Sequence, residues 1–143
     1  MPMFCIQEHH AKRAGKHWDL RVEMPGDPDA LGCYVAKRHF ETSPEPRPVP
    51  EGPRSVLRSW VIPKARLPEP GERLLTIPVE DHPFEYLTFS GEIEEGYGAG
   101  RVDLVAHGEC SCEGTRGLKL TLNGLGRFKL VPFRGKFLLM RLS

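Results

Sequence analysis

Residues 17 to 24 read His-Trp-Asp-Leu-Arg-Val-Glu-Met, a strict alternation of polar and apolar side chains. A β-strand sends successive side chains to opposite faces. His17, Asp19, Arg21 and Glu23 therefore share one face, and Trp18, Leu20, Val22 and Met24 share the other. The apolar set belongs in a core. The polar set differs from the Lys, Thr and Ser of an ordinary solvent face, because it places an imidazole beside a carboxylate beside a guanidinium. On a strand His17 and Asp19 are about 6.5 Å apart at Cα, within reach of one divalent ion at bond lengths of about 2 Å. Arg21, next along, is suited to holding an anion against that ion. A half-exposed strand with chance charges accounts for these eight residues equally well.

A second constellation is Glu80-Asp-His-Pro-Phe-Glu-Tyr86. Pro83 biases His82 toward an extended backbone, so Glu80 and His82 should point the same way. Taken alone, a histidine before proline at a strand end is more often a hydrogen-bonded turn residue than a catalyst. The glycines at 96, 98 and 100 follow closely. They permit positive φ and a close backbone approach. A bulged hairpin turn explains them better than amides aimed at a ligand, and no helix-forming segment follows to complete a dinucleotide fingerprint.

The elements that must carry these residues are short and strand-like. Runs at 3–6, 18–24, 57–62, 74–79, 101–106, 118–122, 127–131 and 136–142 are separated by Gly and Pro and rich in β-branched or aromatic residues. No segment holds a capped helical period; the best candidate, 11–16, is broken by Gly15. The expected fold is all-β, a small antiparallel β-barrel in a single domain spanning 1–143. Residues 25–56 hold seven of the fourteen prolines, which marks them as an insertion loop. Its Pro44-Glu-Pro-Arg-Pro-Val-Pro50 run predicts an extended surface excursion, and 31–36 is expected to add an edge strand.

Composition narrows the function classes. Apolar content of 39% and charged content of 27% are globular values. A net charge of +1 excludes a polycation that coats nucleic acid in bulk, so phosphate binding must come from local clusters. One such cluster gathers His9, His10, Lys12, Arg13, Lys16, His17 and Arg21; a solvated loop is its plainer reading. Cys110-Ser-Cys112 lacks the spacing of a zinc knuckle. No apolar run reaches membrane-spanning length and the first residues do not form a signal peptide. An intracellular, cytoplasmic protein with reduced thiols and no membrane partner is expected.

Gln7-x-His9, His17-x-Asp19-x-Arg21-x-Glu23, Leu57-Arg-Ser-Trp-Val-Ile-Pro-Lys64, Glu80-Asp-His-Pro-x-x-Tyr86, Phe89-x-Gly-x-Ile and Tyr97-Gly-Ala-Gly100 occur in that order. The series resembles the 3′-phosphoesterase domain of bacterial DNA ligase D and its stand-alone relatives. The resemblance covers 7–24 and 57–105 well and the C-terminal strands loosely. It implies a small β-barrel with a manganese-dependent site, other divalent ions such as Zn²⁺ or Co²⁺ being alternatives. It implies healing of DNA 3′ ends in repair by non-homologous end joining, by removal of a terminal ribonucleoside and then of a 3′-phosphate to leave a 3′-hydroxyl. By the same resemblance His9, His17 and Asp19 are the metal ligands, and Arg21, Arg73, His82 and Tyr86 surround the scissile phosphate with Glu80 beside them. The long 12–16 spacer leaves His10 as a rival to His9. The implied partners are DNA or DNA/RNA primer–template 3′ ends, and a separate ligase or polymerase of end joining is a further one. The residue types suit these roles: two imidazoles and a carboxylate match a divalent transition ion, arginine matches phosphate oxygens, and His82 can act as a general acid.

Two other functions compete. A non-catalytic module that binds nucleic-acid ends would keep the fold, yet pure binding has no need of His17, Asp19 and His82 together. A non-haem iron oxygenase would use His17, Asp19 and His82 as its ligands; the chain is short for that fold, and no arginine follows His82 at the distance expected for holding a 2-oxo acid.

Overall fold

The alternation at 17–24 is the middle of a longer strand. In the computed structural model, which describes residues 1–27, 31–37, 40, 43–46, 54–94, 96 and 98–143, β1 is Met3–Ala11 and β2 is Gly15–Pro25. Gly15 adopts φ 77° at the tight turn between them. Then come a short helix α1 (Gly32–Ala36), β3 (Ser55–Ile62), β4 (Arg73–Pro83), a 3-10 helix (Phe84–Thr88), β5 (Gly91–Ile93), β6 (Gly100–Glu113), β7 (Leu118–Leu122), β8 (Gly126–Phe133) and β9 (Lys136–Arg141). All the strand pairings are antiparallel, in the order β1-β2-β3-β4-β9-β8-β7-β6. The ring closes because β6 is long enough to pair with β7 through Cys110–Glu113 and with β1 through Gly100–Glu109. The result is a closed eight-strand antiparallel barrel, with β5 added outside on β6.

Both faces of β1 and β2 are covered, and this positions the site. The inward residues Phe4, Ile6, Leu20 and Val22 join Trp60, Ile62, Leu120, Phe128 and Leu139 in the barrel core. The outward residues meet a second apolar cluster of Leu31, Tyr34, Leu57, Tyr86, Leu87, Phe89 and Ile93, contributed by α1, β3, the 3-10 helix and β5. A fully buried side chain of this kind stabilises by about 1.5–3 kcal/mol, so the outer layer is held in its own right. The polar row of β2 is thus enclosed between the barrel wall and this layer.

Two expectations are corrected. The edge strand expected over 31–36 is helical instead, with Val35 N–H donating to Leu31 C=O at 3.0 Å. Tyr34 within it and Leu31 at its N-terminal cap are buried, a spacing of three that fits a helical face and not a two-residue repeat. The surface excursion expected over 44–50 fails at Glu45, which is 5% exposed; the rest of that run, from 47 on, lies outside the described residues. Among the described residues no helix is long and apolar enough to cross a membrane.

Candidate metal and phosphate site

Register brings the first ligand set together. His9 of β1 lies directly opposite His17 of β2, and Gln7 lies opposite Asp19. With side chains alternating, His9, His17 and Asp19 fall on one face, their ligand atoms all within 4.8 Å of one another. His10 points the other way, its Nε2 2.9 Å from Glu8 Oε1 and 3.6 Å from Asp103 Oδ2. The strand pleat thus puts His9, and not His10, beside His17 and Asp19.

Backbone carbonyls fix both tautomers. His9 Nε2 is 2.7 Å from the carbonyl of Gly98. A carbonyl only accepts, so Nε2 carries the proton and Nδ1 turns its lone pair toward Asp19 Oδ2, 4.0 Å away. His17 Nδ1 donates to the carbonyl of Gly15 at 3.3 Å, so Nε2, 3.6 Å from Asp19 Oδ1, is the nitrogen that offers a lone pair once its own proton leaves. Such outer hydrogen bonds are what orient histidine ligands toward a metal. The Gly96–Gly100 turn serves here: Gly98 holds φ 78° while its carbonyl braces His9, and a Cβ on Gly100 would lie 2.1 Å from the His10 carbonyl oxygen.

The electrostatics agree with a cation site. Burial holds His9 below its usual 6.5, toward the neutral form that ligates. Burial also pulls His17 down, but its hydrogen bond to Asp19 and the Asp19 charge outweigh this and leave it raised. Asp19 would be pushed up by burial; Arg21 and the two histidines outweigh that and hold its carboxyl below 3.8. Two imidazole lone pairs and an ionised carboxylate converging on one point fit a divalent transition ion.

Arg21 joins this set to a second one. It is 4% exposed, with Nη2 3.6 Å from Asp19 Oδ2. Its Nε donates to Gln7 Oε1 at 2.8 Å, and its guanidinium lies 4.7 Å over the Tyr86 ring. Gln7 is fully used: its Nε2 donates to the carbonyls of Tyr86 and Phe89, both at 3.0 Å. The ring nitrogen Nδ1 of His82 is 3.3 Å from Arg21 Nη1 and 3.0 Å from the Glu80 carbonyl. These two contacts demand opposite tautomers, since arginine only donates and a carbonyl only accepts. The shorter one assigns the Nδ1 proton to Glu80 C=O.

His82 is positioned by the end of β4, where the register with β3 slips between Leu57 and Ser59 and sets His82 opposite Leu57. Tyr86 follows on the 3-10 helix, its ring 4.7 Å from that of His82. The Tyr86 hydroxyl donates to Glu45 Oε2 at 2.9 Å, and burial raises it well above 10, so it is a neutral phenol. Glu80 is paired with Lys37 Nζ at 3.4 Å.

His9, His17, Asp19, Arg21, Glu45, Glu80, His82 and Tyr86 all open onto one cleft of about 910 Å³. Lys12 and Arg13 of the β1–β2 turn and Lys16 at the start of β2 line it, and Val61, Pro63, Ile77 and Val79 form an apolar side. Arg73 does not take part. It is exposed, starts β4 opposite Met140, and is separated from His82 by about 30 Å of extended strand at ~3.3 Å per residue. The oxygenase arrangement is not assembled either, because His82 stands with Arg21 and Glu80 and not in the His9, His17, Asp19 cluster.

Residues 53–140 match the family described as the DNA ligase D 3′-phosphoesterase domain. The chain belongs to that family. A multifunctional non-homologous end joining protein LigD of Mycolicibacterium smegmatis is 33% identical across 93% of this chain, which covers 16% of that protein. Its namesake from Mycobacterium bovis is 37% identical across 69% of the chain and 9% of the relative, and that of Pseudomonas aeruginosa is 47% identical across 33% of the chain and 6% of the relative. The chain thus spans a small part of the length of these relatives.

Two members of the site escaped the sequence. Gln7 stood in a quoted motif without a role, although counting back by twos from His9 puts it on the ligand face. Glu45 gave no signal, because a glutamate between prolines reads as surface.

Proposed function

We propose that this domain is a metal-dependent phosphoesterase that heals DNA 3′ ends, removing a terminal ribonucleoside to leave a 3′-phosphate, a 3′-phosphate to leave a 3′-hydroxyl, or both in turn. The observation that carries this reading is the contact of Arg21 with Asp19 on one side and His82 on the other: a buried guanidinium set between a cation-binding cluster and an acid–base residue. Family membership supports it independently.

His9 Nδ1, His17 Nε2 and Asp19 are the residues that would hold the ion, with Mn²⁺ the first candidate and Zn²⁺ or Co²⁺ the alternatives. Such an ion supplies Lewis acidity toward a phosphoryl oxygen. Arg21 binds another phosphate oxygen, its charge-assisted bonds strengthened by exclusion of water. His82, anchored through Nδ1–H on the Glu80 carbonyl, in its imidazolium form gives its Nε2 proton to the leaving oxygen, the 5′ oxygen of a terminal ribonucleoside or the 3′ oxygen beneath a 3′-phosphate, as water bonds to phosphorus and that P–O bond breaks. Tyr86 supports both groups from beneath with its ring. Lys12, Arg13 and Lys16 attract the nucleic-acid strand. A ligase or polymerase of end joining, in the same polypeptide or separate, would use the 3′-hydroxyl formed.

A labelled primer–template ending in one 3′-ribonucleotide or in a 3′-phosphate, incubated with and without Mn²⁺ and resolved on a gel, tests the proposal. Conversion to a 3′-hydroxyl end only with the metal is expected. Binding without conversion in every metal would leave the non-catalytic end-binding function.

A further inference from the structure

We propose that Glu45 and Tyr34, which lie between β2 and β3, are part of the site as positioning residues for Tyr86 and His82; this rests on the phosphoesterase reading and deepens it. Tyr86 has one hydroxyl proton, and it goes to Glu45 at 2.9 Å. The proton is therefore committed away from a substrate phosphate. What Tyr86 presents to the site is its ring, beneath Arg21 and against His82, both at 4.7 Å.

Glu45 is itself held in place. Ser43 Oγ donates to Glu45 Oε1 and accepts from the Glu45 backbone N–H, each at 3.2 Å. Tyr34, 0% exposed on α1, donates its hydroxyl to the carbonyl of Pro46 at 2.6 Å and so ties α1 to the same stretch. Its ring meets His82 edge-on at 4.9 Å and Tyr86 at 6.0 Å. Three rings and a carboxylate thus form one block, with His82 packed between Tyr34 and Tyr86. Burying a carboxylate is costly compared with burying an apolar side chain. Here the charged oxygen holds the hydroxyl of the residue on which the guanidinium rests.

The positioning role predicts a specific pattern. In Glu45→Ala the Tyr86 hydroxyl loses this acceptor and the ring is free to shift under Arg21 and His82. Turnover should fall about 10- to 100-fold in kcat, the usual scale for loss of an outer supporting group, with KM changed less than about threefold. Mn²⁺ affinity should match the parent, because His9, His17 and Asp19 lie on β1 and β2. Glu45→Gln keeps an acceptor oxygen and should recover most of kcat. Glu45→Asp keeps the charge, loses the reach, and should be as slow as Glu45→Ala.

The experiment measures the full chain and these variants by steady-state kinetics on a 3′-phosphate primer, by Mn²⁺ titration, and by NMR of the His82 and Tyr86 ring signals. Displaced ring signals in Glu45→Ala and Glu45→Asp, restored in Glu45→Gln, are expected together with the kcat losses. Unmoved ring signals overturn the proposal. So does Glu45→Gln as slow as Glu45→Ala, which would make charge the operative property. Faster turnover in Glu45→Ala also overturns it, since Glu45 would then occupy the place of the phosphate. If Glu45→Ala does not fold, Glu45→Asp decides by the same measurements. If the parent converts no 3′ end at all, the phosphoesterase reading falls, while the ring signals still decide the positioning role.

Discussion

His9 and His17 face each other across the β1–β2 ladder with their ring centroids 4.9 Å apart. Each ring hydrogen-bonds a backbone carbonyl through the nitrogen that points away from Asp19, so the other nitrogen of each ring converges beside its carboxylate. His82 has a different setting, with Nδ1 between Arg21 and the Glu80 carbonyl.

These settings predict separable phenotypes. His17→Ala should lose metal and activity together. His82→Ala should bind Mn²⁺ within a few-fold of the parent and lose about 10²–10⁴ in rate, the scale of a positioned acid–base group. Calorimetric titration of Mn²⁺ into both variants, alongside the primer-end assay, checks the assignment. Failure of His82→Ala to bind the ion would make His82 a ligand.

Metal binding should also be linked to protons with a definite sign. In the metal-free protein His17 titrates above 6.5, because its hydrogen bond to Asp19 and the Asp19 charge outweigh burial. Around pH 6.5 most of His17 is therefore protonated, and an ion must displace that proton. Mn²⁺ affinity should rise by up to about tenfold per pH unit and flatten once the pH exceeds the raised pKa. His9 titrates below 6.5, so it adds less slope than His17 in that range. Titrations from pH 6 to 8 measure this. Affinity independent of pH across that range would show that His17 is not a ligand.

What the sequence reveals follows from how local each arrangement is. The β2 alternation was legible because one face enters the barrel core and the other carries the chemistry, so pattern and function coincide at Leu20 and Asp19. The barrel strands were legible by the same two-residue period. Helix α1 was not, because one buried residue, Tyr34, with a buried cap three positions before it is a faint signal in a five-residue element. Arg73 was carried over by its place relative to Glu80, and β4 runs too far before reaching the cleft. The role of Gln7 depends on carbonyls 79 and 82 residues further along the chain, and no local pattern encodes a contact of that range.

Gln7 offers a stability test of that distant contact. Gln7→Leu removes the Phe89 carbonyl's side-chain donor and the acceptor of Arg21 Nε, both in a buried setting. Each buried group left unpaired costs about 1–3 kcal/mol, so a loss of about 2–5 kcal/mol is expected, a large share of the total for a domain of this size. Urea unfolding of the metal-free protein reads it directly. A midpoint equal to the parent's would mean that the amide bonds contribute nothing net.

Nucleic-acid binding should be salt-sensitive despite the net charge of +1. Lys12, Arg13, Lys16 and Arg21 all line the cleft, and each phosphate they neutralise releases a counterion on binding. Arg13 on the β1–β2 turn and Lys16 at the start of β2 both have exposed side chains. Arg13→Ala combined with Lys16→Ala should weaken binding without lowering the thermal midpoint. If both contact phosphate, the slope of log K against log salt should become shallower by about two, one for each cation removed. Fluorescence anisotropy of a labelled 3′-phosphate DNA, titrated without metal so that no turnover intrudes, gives both slopes. Parent affinity that stays flat between low and moderate salt would remove nucleic acid as the ligand of this cleft.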